Sequence, residues 1–240
     1  MKKTIIALVI GLLAASAQMA FAGYTVTAPW GYGIWQSNGG GEFTLEESVS
    51  TYSGNYSPYT KNQGITPSFQ SFCLTGIFTV IFPHQPYDAT LSNVALAGAQ
   101  PDPLSKGTAY LYEQFATGSL NYDYTNASGN RVNNAFALQD AIWYLEDEQT
   151  SLADPSSTLA NNYYLALALA EYGDLSGAQA DYHGTQVHVL NLTDPTPGSY
   201  FPVGQDQLVY TPTPIPAAAW LLGSGLLGLI GIKRKTTMRG

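Results

Sequence analysis

Apolar residues recur along this chain at two periods, and the switch between them divides it. Near the start, "YTVTA" (24–28) and "GEFTLEE" (41–47) place apolar side chains at alternate positions between Gly-, Ser- and Tyr-rich turns. That period predicts short half-buried strands in a β-rich, loop-rich region. "SFCLTGIFTVIF" (71–82) is dense in β-branched and aromatic residues, which predicts one buried strand, or a hairpin broken near Gly76, with Cys73 near its start. Helical spacing follows. "PLSKGTAYLYEQFATG" carries Leu104, Tyr110, Leu111 and Phe115 on a repeating face and a stop at Gly118; a second helix is predicted over 134–148 and a third over 157–172, ended by Gly173. "TQVHVLNLT" and "QDQLVYT" return to the strand period. Strands, then helices, then strands predict an α+β fold, a β-rich domain with a helical insertion or subdomain.

On a helical wheel the second helix sets Ala135, Leu138, Ala141, Ile142 and Leu145 on one apolar arc, which Phe136 and Trp143 extend. Gln139 falls inside that arc, while Asp140 and Tyr144 take the opposite face. An inward Gln must find hydrogen-bond partners or cost roughly 1–3 kcal/mol in desolvation. One explanation is a buried amide bonded to neighbouring backbone.

The ends of the chain carry different patterns. Lys2 and Lys3 precede an apolar run from Ile5 to about Ala15, and Ala20-Phe21-Ala22 supplies a small-x-small cleavage pattern, so residues 1–22 read as a signal peptide and the mature chain starts at Gly23. The run is shorter than the roughly 20 apolar residues that a membrane-spanning helix needs. At the other end "PIPAAAWLLGSGLLGLIGIKRK" (214–235) combines a Pro motif, an apolar helix and the basic group Lys233, Arg234, Lys235. It reads as a transmembrane anchor whose basic end stays cytoplasmic, either permanent or removed by processing. The chain then divides into 1–22, a domain at 23–211 and a tail at 212–240.

Charge sharpens this division. Six of the nine Lys and Arg residues lie in the two ends, leaving Lys61, Lys106 and Arg131 against all seventeen Asp and Glu. Such an acidic surface repels nucleic acid and anionic lipid, which removes nucleic acid as a partner.

Cys73 is the one cysteine in the chain. Its thiol can attack the Gln139 carboxamide, expel ammonia and leave an internal thioester, provided the amide is held rigidly against it. A single cysteine allows no intramolecular disulfide, and the alternatives are an inert buried thiol, an intermolecular disulfide in an oxidising compartment, or a hydrolase nucleophile served by His84, His183 or His188. Asp181, His183 and His188 are better read as scattered surface residues than as a metal site, and no cofactor is called for. The acidic group Glu146, Asp147 and Glu148 reads as a solvated helix end.

"FCLTG" followed by "LQDAIWYLE" resembles the bacterial thioester domains, in which a Cys after an aromatic residue pairs with the Gln of a T-Q-x-A-I-W helix motif. Leu138 stands here where that motif has Thr, and the matching stretch covers about residues 69 to 150. The resemblance implies that Cys73 supplies the sulfur and Gln139 the acyl group, with Phe72 and Trp143 as walls that exclude water. It further implies covalent capture of an amine or hydroxyl nucleophile on a surface or polysaccharide, a single-turnover event and not enzymatic catalysis.

The tail resembles the PEP-CTERM family of sorting signals, in the variant written V-P-x-P-A-A-A-W-L, with Pro214 and Pro216 in the Pro motif and Thr213 at the Val position. This resemblance implies a Gram-negative bacterium, an exosortase-type processing protease as partner, passage through the membrane by the C-terminal helix, and delivery to the cell surface or extracellular matrix. The competing expectation is a noncovalent structural or glycan-binding protein of an exopolysaccharide matrix, with Cys73 inert.

Overall fold

The computed structural model describes residues 24–27, 35–37, 40–47, 68–75, 85–98, 100–148, 161–199 and 202–211. The expected signal peptide and the sorting tail with Pro214 and Pro216 lie outside them. No helix among the described residues is long and apolar enough to cross a membrane.

The strands are β1 (Tyr24–Thr27), β2 (Trp35–Ser37), β3 (Gly40–Glu47), β4 (Ser68–Ser71), β5 (Pro86–Ser92), β6 (Val94–Ala95), β7 (Asp102–Pro103), β8 (Val187–Thr193) and β9 (Gln207–Tyr210). Among the described residues four helices stand between β7 and β8: α1 (Lys106–Thr117), α2 (Arg131–Leu145), α3 (Tyr163–Tyr172) and α4 (Leu175–Gln179). The architecture is therefore α+β, with an antiparallel sheet in the order β2-β3-β1-β5-β8-β9 and β4 on β3.

Glu46 of β3 pairs with Thr27 of β1 on one edge and with Ser68 of β4 on the other, so β4 flanks the sheet opposite β1. The chain leaving β4 then meets β9. Cys73 bridges Gln207, the Leu74 N–H donates to Asp206 O at 3.0 Å, and the Leu208 N–H donates to Phe72 O at 3.0 Å. The ladder thus returns on itself as a small closed barrel, which leaves neither β4 nor β9 with a bare edge at this point. Each strand of the ring gives its interior an apolar side chain: Val26, Leu45, Phe69, Tyr87 with Ala89, Leu190 with Leu192, and Val209.

The outward residues of β8 and β9, Val187, Val189, Leu208 and Tyr210, form a second core with the helices and with Phe72 and Leu74. Two-residue alternation therefore feeds two cores from one strand. The Ser105 hydroxyl caps α1 by accepting from the Thr108 N–H, and Gly118, at φ 73°, closes it with its N–H shared between Gln114 O and Phe115 O.

Several expectations are corrected. α2 begins at Arg131, three residues before the predicted start, because the Asn134 side chain accepts the Asp123 N–H while Asn126 Oδ1 accepts the Arg131 N–H at 3.3 Å. α3 starts at Tyr163 because Asn162 is extended and caps the Tyr164 and Leu165 N–H groups. Cys73 follows a strand and does not begin one, and residues 76–82 of the predicted strand lie outside the described residues. Asp140 is only 1% exposed, since α2 packs against β2 and β3 as well as against α1 and α3. A helix packed on several sides buries polar positions that a wheel assigns to solvent.

Glu146 is also buried, against expectation, and accepts the Ser105 N–H at 3.2 Å. Burial pushes its carboxyl from 4.5 up to about 7, against the lowering effect of the Ser105 hydrogen bonds. The folded state therefore holds this proton more tightly than the unfolded chain. Stability is expected to fall by on the order of 3 kcal/mol as pH rises from about 4.5 to 7. Denaturant unfolding across that window, compared with Glu146→Gln, measures this contribution. Asp206, raised to about 6 by burial, acts in the same direction in both proteins.

Candidate functional site

Cys73 lies where the barrel closes. Its bridge to Gln207 is of the kind in which the neighbouring residues make the ladder bonds, so the N–H and C=O of Cys73 itself face away from β9. Gln139 of α2 occupies that free edge. The Cys73 N–H donates to Gln139 Oε1 at 3.1 Å, and Gln139 Nε2 donates to Cys73 O at 2.7 Å. The carboxamide thus pairs with Cys73 much as a neighbouring strand would.

The thiol closes a third contact, Sγ to Gln139 Oε1 at 3.3 Å. Cys73 and Gln139 are both 0% exposed. Burial pushes the Cys73 thiol far above its ordinary range; the nearby Trp143 indole N–H opposes this, and Glu148 adds to it. Trp143 Nε1 is itself buried and has no hydrogen bond of ordinary geometry, so its influence on the sulfur is that of a nearby dipole. The sulfur is therefore a protonated thiol, consistent with S–H donation to Oε1.

Three contacts hold the elements in place. Arg131, in the first turn of α2, forms a buried ion pair with Glu42 of β3, its Nη2 lying 2.5 Å from Oε1 and its Nε 2.8 Å from Oε2. Tyr122 Oη donates to the same carboxylate at 2.5 Å. Tyr112 of α1 donates to Gln70 O at 3.0 Å and so ties the helices to β4. Phe72 is fully buried against Phe115 in an edge-on contact, centroids 5.1 Å apart, and forms part of the wall between the two cores.

The structure thus brings together Cys73, Gln139 and Trp143, with Phe72 beside the cysteine in the chain. His188 is occupied by Asn93 Oδ1 and Thr185 O, at 3.0 and 3.1 Å, and His84 lies outside the described residues. Among the described residues no cluster of His, Cys, Asp or Glu is arranged to hold a metal ion.

Sequence reading missed Gln207, which sits across the ladder from Cys73 and is itself 0% exposed. One signal was present: in "QDQLVYT" Gln207 shares the inward face of Val209, an unusual place for an amide. Comparison with protein-family models, curated proteins and solved structures finds no match to this chain.

Proposed function

We propose that this is an exported surface protein whose Cys73 and Gln139 form an internal thioester that captures a nucleophile covalently. The observation that carries the reading is the three-point contact between the Gln139 carboxamide and Cys73. It fixes the electrophile beside the sulfur before reaction, the arrangement from which an intramolecular attack gains most.

In formation, Cys73 Sγ bonds to Gln139 Cδ as the Cδ–Nε2 bond breaks. The thiol proton passes to the carboxamide nitrogen, which leaves as ammonia. The Cys73 N–H, 3.1 Å from Oε1, stands where oxyanion charge develops. In capture, an amine or hydroxyl bonds to Cδ, the Cδ–Sγ bond breaks and the nucleophile's proton returns to sulfur. The outcome is one permanent bond per molecule, a single turnover.

The rest of the reading rests on the resemblance of both ends to export and sorting signals. A signal peptide at 1–22 and a PEP-CTERM-like tail at 212–240 would deliver the 23–211 domain through the membrane to an exosortase-type protease, and then to the cell surface or matrix.

Intact mass tests the crosslink. The parent chain is expected to be lighter than its sequence requires by one ammonia, to gain methylamine at Gln139 and then to show one free thiol. Cys73→Ala and Gln139→Ala should keep their full masses and ignore methylamine. A full-mass parent would leave the noncovalent reading. An open cleft of about 410 Å³ favours that second reading: Asn121, Asp123, Ser128, Asn130, Asn133 and Asn134 line it with groups suited to sugar hydroxyls.

A further inference from the structure

The carboxamide of Gln207 has no hydrogen-bond partner at either Oε1 or Nε2, although the residue is fully buried. Each such atom has given up its bonds to water without gaining one from the protein, so its burial is a net cost that packing alone does not explain. Its cross-strand neighbours explain nothing by themselves: Leu190 on β8 is apolar, and on the other side stands Cys73. Directly opposed residues of an antiparallel pair project to the same face, and in a pair of this kind their side chains approach most closely. The Cys73 side chain therefore lies between two carboxamides. One is anchored to the Cys73 backbone, and the other is uncommitted.

We infer that Gln207 orients the nucleophile at the thioester and selects a primary amine. This inference rests on the thioester reading and names the class of nucleophile that the reading leaves open. An amine attacking Gln139 Cδ directs its lone pair at carbon and loses one proton to Sγ as the Cδ–Sγ bond breaks. A primary amine keeps a second N–H, which donates to Gln207 Oε1 and fixes the approach. A secondary amine or an alcohol has a single hydrogen for both tasks and loses the orienting bond. Departure of ammonia during formation is the same step reversed, with Gln207 Oε1 accepting from the leaving nitrogen.

Ethylamine and dimethylamine are isomers that differ in this hydrogen count, and their coupling to the full chain, followed by intact mass, is the test. The parent should prefer ethylamine. Gln207→Met, which removes the acceptor, should couple ethylamine about tenfold more slowly and lose much of the preference. Gln207→Glu, whose buried carboxyl stays neutral and keeps an acceptor oxygen, should behave like the parent. A Met variant that cannot expel ammonia, beside a Glu variant that can, equally supports the role. The inference is overturned if Gln207→Met couples as fast as the parent, if both variants are slowed alike, or if neither forms the thioester; a lighter parent in those cases leaves the thioester reading intact. A parent of full mass overturns both.

Discussion

Opening the thioester with methylamine is expected to lower the unfolding free energy of the domain by about 4 kcal/mol. The crosslink would join positions 66 residues apart, and a covalent link closing a loop of that size restricts the unfolded chain by about that amount. Chain entropy is not the sole term. Losing ammonia removes the Nε2 donor from Cys73 O, a 2.7 Å bond, so the crosslinked state gives up roughly 1 kcal/mol of hydrogen bonding. Two variants separate these contributions, since neither can crosslink. Cys73→Ala keeps the Gln139 amide on the Cys73 backbone and should resemble the opened parent within about 1 kcal/mol. Gln139→Ala leaves a buried N–H and a buried C=O without their partner, and should fall a further 2–4 kcal/mol or so. Guanidinium chloride unfolding followed by far-UV circular dichroism measures all four species. Equal stability of parent and methylamine-treated chain would count against the crosslink, and equal stability of the two variants would count against the strand-like pairing of Gln139.

Arg131→Met is expected to destabilise the domain by about 3–5 kcal/mol. Glu42 is fully buried, and Arg131 holds both of its carboxylate oxygens. Removing the cation leaves a buried carboxylate with the Tyr122 hydroxyl but without its counter-charge, and a buried charge that has lost its counterion costs far more than the pair contributes. Arg131 also donates through Nη1 to Tyr124 O, so the loop before α2 loosens with it. The sign of the companion change checks the cause. Adding Glu42→Gln should restore much of the loss, because the neutral amide no longer needs the cation. Since this pair holds α2 to β3, Arg131→Met should also slow capture at Gln139, whereas Glu146→Gln, which leaves that pair intact, should not. Guanidinium unfolding of the single and double variants, with methylamine uptake on the same samples, reads both effects. Additive losses in the double variant would assign the cost to packing and not to charge.

Much of the helical region was legible. Ser105, Gly118 and Gly173 punctuate α1 and α3 by local backbone chemistry, which neighbouring residues cannot easily overrule. β1, β3, β8 and β9 carry alternation that a strand must show when it has two different faces. β5 did not stand out, although it lies between β1 and β8. Its stretch "PYDATLS" alternates only weakly, and its pairing depends on partners some sixty residues behind and a hundred ahead in the chain.

For the candidate site, sequence alone determined the reactants. The single thiol and an amide on the apolar arc of a helix are facts of composition and period, as is the acidic balance of the segment between the two ends. Tertiary structure decided the geometry, because Cys73 and Gln139 meet only when the barrel closes and α2 is pinned by Arg131 to Glu42. It also decided which polar groups are buried. Asp140 and Glu146 look ordinary in one dimension, and each, like Gln207, loses its water only once neighbours remote in sequence close over it. Burial is a property of the whole packed chain, so no local pattern could have marked Gln207 as the amide facing the thiol.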